Sequence, residues 1–247
     1  MKKYNIYGIG AALVDTEVEV SDDFLSKASI DKGVMTLVEQ PRQAELISSL
    51  KKHGSTLLKQ SGGSACNSVV AAAQLGSKTY FGGKIADDDD GRLYADDLTQ
   101  AGVSHAFSPA DQGVTGKCLV MVTSDAERTM NTYLGVSDEF AETEINQSIL
   151  AKSDWFYVEG YLQTDDHRTA VVKSAIEFAK QQGVKVGLSL SDPFVAQLFA
   201  DNLKSVIDDG VDLIFCNKDE ALAFTDTDTI NKAAKELKAY ATTFVIT

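Results

Sequence analysis

Proline is nearly missing from this chain. Three prolines in 247 residues leave no stretch that reads as a proline-rich linker, and no segment is low in complexity, so the expectation is one principal domain. Cysteine is just as scarce. Cys66, Cys118 and Cys216 are odd in number and too scattered for a zinc cluster, which excludes a disulfide framework and fits reduced thiols in a cytoplasm. The three histidines, His53, His105 and His167, are isolated and show no metal-ligand spacing. Positive charge is also short, with 23 Lys and Arg against 36 Asp and Glu and a formal net charge of -13. That field repels phosphate backbones, and the one basic pair, Lys51-Lys52, sits in a helical run, so no nucleic-acid partner is expected. No apolar run approaches membrane-spanning length, so no membrane partner is expected either. The stretch after Met1-Lys2-Lys3 is broken by Asn5, two glycines and Asp15, and lacks a signal-peptide core. There is no Gly-x-Ser-x-Gly elbow to support a serine hydrolase.

What remains is an ordinary globular composition, 44% hydrophobic and 24% charged, large enough for one sizeable core. Short β-rich runs alternate with helical ones. Tyr4 to Ile9, Ala44 to Lys52, Cys66 to Leu75, Thr79 to Ile85 and Leu93 to Ala101 make up the first half. Trp155 to Val158, Arg168 to Gln182, Val184 to Leu190, Val195 to Ile207, Leu213 to Cys216, Ala233 to Tyr240 and Phe244 to Ile246 continue the pattern. This alternation predicts βα units and an α/β fold with a mostly parallel central sheet, whose near-continuous apolar strands are buried on both faces. Two segments break it. In Thr16 to Glu39, Glu17-Val18-Glu19-Val20 alternates strictly, as a strand with one wet face does. In Gly116 to Leu134, Cys118 to Val122 and Thr129 to Leu134 flank the turn-like Ser124-Asp125-Ala126-Glu127, which predicts a hairpin. Lid segments of about 16–39 and 113–134 therefore form a small second sheet within the 1–247 domain.

Two motifs resemble sites without meeting their requirements. Gly8-Ile9-Gly10-Ala11-Ala12-Leu13 follows a strand, but Leu13 replaces the third glycine of a dinucleotide fingerprint and no helical run follows. Asp87-Asp88-Asp89-Asp90-Gly91 imitates a calcium loop, yet Ala86 falls at the first ligand position, and a carboxylate-rich helix N-terminus explains it more simply. The stretch Ser61-Gly62-Gly63-Ser64-Ala65-Cys66-Asn67-Ser68 carries more. Paired glycines let a ligand touch backbone, and Asn67 stands in the first helical turn to hold it, although a tight strand-to-helix turn uses the same residues.

Taken in order, the motifs resemble the ribokinase/PfkB family of carbohydrate kinases, and within it the adenosine-kinase branch. Gly8 to Asp15 resembles the opening strand whose terminal Asp grips acceptor hydroxyls. Gly62-Gly63-Ser64-Ala65-Cys66-Asn67-Ser68 resembles the acceptor signature. Gly83 to Gly91, Glu127-Arg128-Thr129, Glu159-Gly160-Tyr161, Ser189 to Phe194 and Asn217-Lys218-Asp219-Glu220 follow at suitable intervals, so the likeness covers essentially the whole chain.

The resemblance implies a ribokinase-like three-layer sandwich with a β-sheet lid, and ATP-dependent phosphorylation of a primary hydroxyl with Mg2+. Asp15, Gly62, Gly63 and Asn67 would bind the acceptor. A carboxylate accepting two hydroxyl bonds suits the vicinal diol of a ribose. Asn217 would meet phosphate and Glu220 would hold Mg2+ through water, though Asn-x-x-Glu is also a helix capping box. Arg128 resembles a basic residue that approaches the transferred phosphoryl group, and a solvated hairpin charge is its plainer reading. A lid excludes water, which phosphoryl transfer needs. In the family such lids also form homodimers, while the adenosine-kinase branch is often monomeric.

The family's Gly-Ala-Gly-Asp motif, whose amides form an anion hole and whose Asp takes the acceptor proton, does not occur in the sequence. The resemblance implies that this catalytic Asp lies beyond Thr247, in the part of the family pattern that follows a strand like Phe244-Val245-Ile246-Thr247. The expectation is thus an incomplete kinase domain, inactive by itself, acting on adenosine or a related nucleoside. A free sugar such as fructose, ribose or ketodeoxygluconate stands as the alternative acceptor. A catalytically dead nucleoside- or sugar-binding protein is the second reading, and a dinucleotide oxidoreductase the third.

Overall fold

The computed structural model describes residues 3–52, 56–208 and 210–247, and His53 lies outside the described residues. The strands are β1 (Tyr4–Ile9), β2 (Leu13–Glu19), β3 (Met35–Leu37), β4 (Leu58–Gly62), β5 (Thr79–Gly82), β6 (Val103–Ser104), β7 (Gly116–Val122), β8 (Arg128–Tyr133), β9 (Ser153–Val158), β10 (Lys185–Ser189), β11 (Val211–Cys216) and β12 (Ala241–Ile246). The helices are α1 (Asp22–Lys27), α2 (Gln40–Lys52), α3 (Ser64–Gln74), α4 (Asp89–Gln100), α5 (Gln147–Leu150), α6 (Asp166–Gln181), α7 (Pro193–Leu198), α8 (Ala200–Ile207), α9 (Lys218–Thr225) and α10 (Ile230–Glu236).

Seven strands form the main sheet in the order β12-β11-β10-β9-β1-β5-β6, and every neighbouring pair is parallel. Its two faces carry separate cores. Tyr7, Ile9, Phe156, Val158, Val186, Leu188 and Ile214 pack with Val172, Ile176, Leu203 and Phe224 from α6, α8 and α9. Phe81 on β5, with Ile6, packs on the other face against Val69, Tyr94 and Leu98 from α3 and α4. That second layer covers only the β1/β5 half. Over β11 and β12, Phe215 is 38% and Val245 40% exposed, an unusual condition for strands of a parallel sheet.

The second sheet runs β3-β8-β7-β2-β4 and mixes both strand directions. The predicted hairpin is β7/β8, with Ala126 at φ +65° in its turn. One face of this sheet is sealed by its own helices, because Val18, Leu119 and Met121 pack against Leu25, Leu46 and Leu50 of α1 and α2. The sheet is wider than the two lid segments predict. It starts at Leu13, and β4, whose Leu58-Lys59-Gln60-Ser61-Gly62 has no apolar alternation, forms its edge. The single run expected over Val195 to Ile207 is two helices. Phe199 leaves helical geometry at φ -113° and ψ 25°, and its ring packs edge-on against Phe194.

The acidic block is the helix N-terminus expected of it. Asp88 caps α4 by accepting from Gly91 N at 2.7 Å, and also accepts from Thr115 N at 2.9 Å and Thr115 Oγ1 at 2.6 Å. Asp90 is buried between Lys59 at 2.5 Å and Lys117 at 2.8 Å, which bolts the lid sheet to α4. Asp88→Ala strands the Gly91 and Thr115 donors, and should cost about 2–4 kcal/mol in urea unfolding. Asp89→Ala, at a fully solvated side chain, should cost less than about 0.5 kcal/mol.

Candidate active site

The site forms where the chain crosses from the main sheet to the lid. After β1 the backbone turns through Gly10, Ala11 and Ala12, and a Cβ at Gly10 would lie 2.5 Å from Glu159 Oε2. Glu159, at the carboxyl end of β9, is buried. Its carboxylate accepts from Ala65 N at 2.9 Å and Ala11 N at 3.4 Å, so it fastens the crossing turn to the first turn of α3. Burial pushes this carboxyl up, and the backbone donors together with Ser64 pull against that shift.

Asp15 is not at the end of the opening strand. It is the third residue of β2, inside the lid sheet, opposite Gln60 on β4 and Cys118 on β7. The difference arises because the glycine crossing ends β1 at Ile9 and lets a new strand begin at Leu13. The Asp15 side chain lies over Gly62, where an added Cβ would fall 2.2 Å from its carboxyl carbon. Gly63, at φ +94°, ends the turn as the N-cap of α3, and a Cβ there would meet the Ala11 carbonyl oxygen at 2.4 Å. Both glycines are required by space, one for the carboxylate and one for the crossing backbone.

Asp15, Gly63, Asn67 and Arg128 line one cavity of about 750 Å³, within the range of small-molecule sites. Asn67 is exposed in α3, and Arg128 is the exposed first residue of β8. Its remaining walls are largely apolar. Met35, Leu37, Met130 and Leu134 come from the lid side, and Leu162, Pro193, Phe194 and Val195 from the body. Burial pushes the Asp15 carboxyl up to about 6, and Arg128 offsets only part of this. Ser191 borders the same cavity at φ +71°, accepting from Gly160 N at 2.8 Å, and Asp192 caps α7 beside it.

Asn217 and Glu220 are outside this cavity. Asn217 is the N-cap of α9, and its Oδ1 accepts from Glu220 N at 2.8 Å. The Glu220 carboxylate accepts from Asn217 N at 3.0 Å and Asn217 Nδ2 at 2.8 Å, closing a capping box. Each carboxylate oxygen keeps a free lone pair, so the donor set suits a cation held through water. Burial raises the Glu220 carboxyl, and Asp192 and Asp219 raise it further. Thr247 lies beside this helix start. Its N donates to the Cys216 carbonyl at 3.0 Å and its own carbonyl accepts from Lys218 N at 3.1 Å, so the residue after β12 is tied to the turn that carries Asn217. Among the described residues no group of three or more His, Cys, Asp or Glu is placed to ligate a metal directly. His105 is structural, stacked on Phe107 at 4.5 Å. The sequence motifs hold Glu159 and Ser191 without giving either a role at the site, and Arg168 appears only as the start of a helical run. A carboxylate directly after the run Trp155-Phe156-Tyr157-Val158 is the available signal for Glu159.

The Asp15 environment affects both stability and binding. Its carboxyl titrates higher in the folded protein than the ordinary 3.8, so the unliganded protein should lose stability as pH rises from about 4 to about 6 and then level off. Asp15→Asn should remove that slope and raise neutral-pH stability by about 2–3 kcal/mol. Hydroxyl binding needs the ionised form, so acceptor affinity in the wild type should climb through about pH 6, as calorimetry at several pH values would show. Gly62→Ala, which displaces the carboxylate, should weaken the same binding at least about tenfold with far-UV circular dichroism unchanged.

Known proteins resemble this chain in sequence and in fold. The chain is 23% identical over 227 residues to guanosine-inosine kinase of Escherichia coli K12, covering 89% of this chain and 52% of that one. It is 34% identical over 140 residues to 5-dehydro-2-deoxygluconokinase of Bacillus licheniformis, covering 55% and 43%. The chain thus spans about half the length of the curated relatives it matches. Among solved structures, adenosine kinase from Sinorhizobium meliloti superposes with a TM-score of 0.91 at 32% identity, over 99% of this chain and 74% of that one. A probable sugar kinase from Rhizobium etli CFN 42 superposes at 0.93 with 29% identity, over 100% and 74%. The two-sheet α/β architecture is therefore the ribokinase-like fold of these neighbours. With residues 28–247 also matching the pattern of the pfkB family carbohydrate kinases, the chain belongs to that family.

Proposed function

We propose that this chain forms the acceptor-binding part of an ATP-dependent kinase that phosphorylates a primary hydroxyl of a nucleoside or sugar, with a ribosyl acceptor favoured. One observation carries the reading. The Asp15 carboxylate is held over Gly62 in the wall of the cavity that Gly63, Asn67 and Arg128 share. Ionised, Asp15 accepts two hydroxyls of a vicinal diol, while Gly63 and Asn67 line the cavity beside it and Gly62 leaves room for the carboxylate. Arg128, which lines the cavity, would face the developing phosphoryl charge. The apolar walls from lid and body keep water from the acceptor hydroxyl. Magnesium-bound ATP supplies the phosphoryl group and neutralises its charge. Glu220 is suited to hold that ion through water, and the second amide proton of Asn217 remains available to phosphate. Gly-Ala-Gly-Asp does not occur in the sequence up to Thr247, and none of its residues is assigned the removal of the acceptor proton.

Helices α1 and α2 cover the lid face away from the cavity, which favours a monomer over a lid-mediated homodimer. The scattered buried thiols favour a cytoplasmic protein. Calorimetric titration with adenosine, ribose and fructose tests the reading. A ribosyl compound should bind the wild type, and Asp15→Ala should weaken it at least about tenfold, the loss expected for a charge-assisted pair. Arg128→Ala, at an exposed residue, should change acceptor affinity less than about threefold. Equal binding to Asp15→Ala would overturn the assignment. The similarity to a 5-dehydro-2-deoxygluconokinase and to a probable fructokinase keeps a free-sugar acceptor as the second reading, identified by titration in which only the free sugar binds.

A further inference from the structure

Strand β4 has no apolar pattern of its own, and one face of α4 holds it. Asp90, Tyr94 and Asp97 recur at helical spacing and each meets β4. Asp90 pairs with Lys59 Nζ at 2.5 Å, Asp97 Oδ2 accepts from Ser61 N at 2.7 Å, and the Tyr94 hydroxyl donates to the Gly62 carbonyl at 3.1 Å. Tyr94 is fully buried, with its ring centre 6.2 Å from that of Phe81 and 5.9 Å from that of Phe107. A phenol in such a core keeps its hydroxyl only with a partner, and the partner is backbone of the glycine turn. Burial holds this phenol well above its ordinary range, and Cys66, Glu159 and Asp15 add to that, so the oxygen keeps its proton and remains a donor.

The carbonyl that Tyr94 holds belongs to the residue directly under Asp15. Gly62 carries the Asp15 carboxyl group where its own Cβ would be, and Gly63 follows at φ +94°. Two successive residues without a Cβ leave the peptide between them with little steric restriction, so its orientation has to be fixed from outside. The Tyr94 hydroxyl supplies that constraint by drawing the Gly62 oxygen into the α4 side of the turn. Without it the peptide is free to turn its oxygen toward Asp15, where a carbonyl and a carboxylate, both acceptors, repel. Tyr94 itself has no exposed surface and is not among the cavity residues, so it acts on an acceptor only through Gly62.

We propose that Tyr94 is a positioning residue for the acceptor site, whose hydroxyl fixes the Gly62-Gly63 peptide so that the Asp15 carboxylate keeps its seat over Gly62 and meets the acceptor unopposed. This inference rests on the acceptor-site reading above and adds the residue that aligns it. Asp97 and Asp90 support the same seam from either side of Tyr94 on α4, one through the Ser61 amide and the other through Lys59. The glycine turn is therefore held from the body of the protein and not from the lid alone.

The test is calorimetric titration of the full chain with adenosine, ribose and fructose, in the wild type, Tyr94→Phe, Asp15→Ala and the double variant. Tyr94→Phe deletes one oxygen and keeps the ring, so far-UV circular dichroism should not change. For the compound that binds the wild type most tightly, affinity should fall about tenfold in Tyr94→Phe, the loss expected of one buried hydrogen bond. In the Asp15→Ala background the same substitution should cost less than about twofold, because the carboxylate that a turned carbonyl would repel is gone. Val103→Ala, in the core cluster that contains Tyr94, should lower stability and leave affinity within about twofold. Wild-type affinity in Tyr94→Phe overturns the proposal, as do a full loss that persists in the Asp15→Ala background, an equal loss in Val103→Ala, or a Tyr94→Phe that does not fold. If an acceptor binds through Asp15 and Tyr94→Phe binds it equally well, only the role of Tyr94 fails; if no compound depends on Asp15, the acceptor-site reading fails and takes this inference with it.

Discussion

The buried carboxylate of Glu159 is the joint on which the rest of the molecule turns. It comes from β9 in the main sheet, and its acceptors meet the amides of Ala11 in the crossing turn and Ala65 at the start of α3. Those two contacts decide where the lid leaves the body and where the glycine turn sits. A carboxylate buried this fully is costly when charged, and the N-terminus of a helix is one of the few places where backbone can stabilise it. Gly10 follows from the same constraint, because any side chain there would occupy the space of Glu159.

The second feature is a carboxylate whose placement works against stability. Asp15 is partly buried in the lid sheet with one exposed cation nearby, and its ionised form is disfavoured before a ligand arrives. In the proposed reading, hydroxyl donors from a sugar would relieve that cost, and part of the binding energy would come from satisfying a carboxylate that the fold leaves poorly solvated. Gly62 makes the arrangement sterically feasible, since only a glycine leaves room for the carboxyl group.

Rigidity in the lid comes from charge and from apolar cover together. Asp90 holds Lys59 and Lys117 from two lid strands against α4, and Gln43 of α2 donates to the carbonyls of Lys117 and Asn131 at 2.9 and 3.1 Å. At the other end of the lid, the Gly135–Glu139 segment is tied back by Ser137, which donates to the Ala12 carbonyl at 2.9 Å, and by the Arg168–Asp138 pair. The return path of the lid therefore shares its anchor, Arg168, with the cavity wall.

Much of this was legible from the residues alone, for a local reason. Apolar runs at strand length separated by helical periodicity leave few choices besides a parallel sheet, and Glu17-Val18-Glu19-Val20 declares a half-wet strand without any partner in view. The glycine pair, the hairpin and the capping character of Asp88 are likewise short-range chemistry. Tertiary structure alone decided the rest. Strand β4 has no pattern of its own and exists because β2 offers it an edge. Asp15 became a lid residue because the crossing at Gly10 depends on Glu159, 148 residues away from Ala11. Arg168, on α6, lines the cavity beside residues of the lid. Each of these depends on which distant groups share a low-dielectric space, and that is a property of packing across the chain, which no local run of residues encodes.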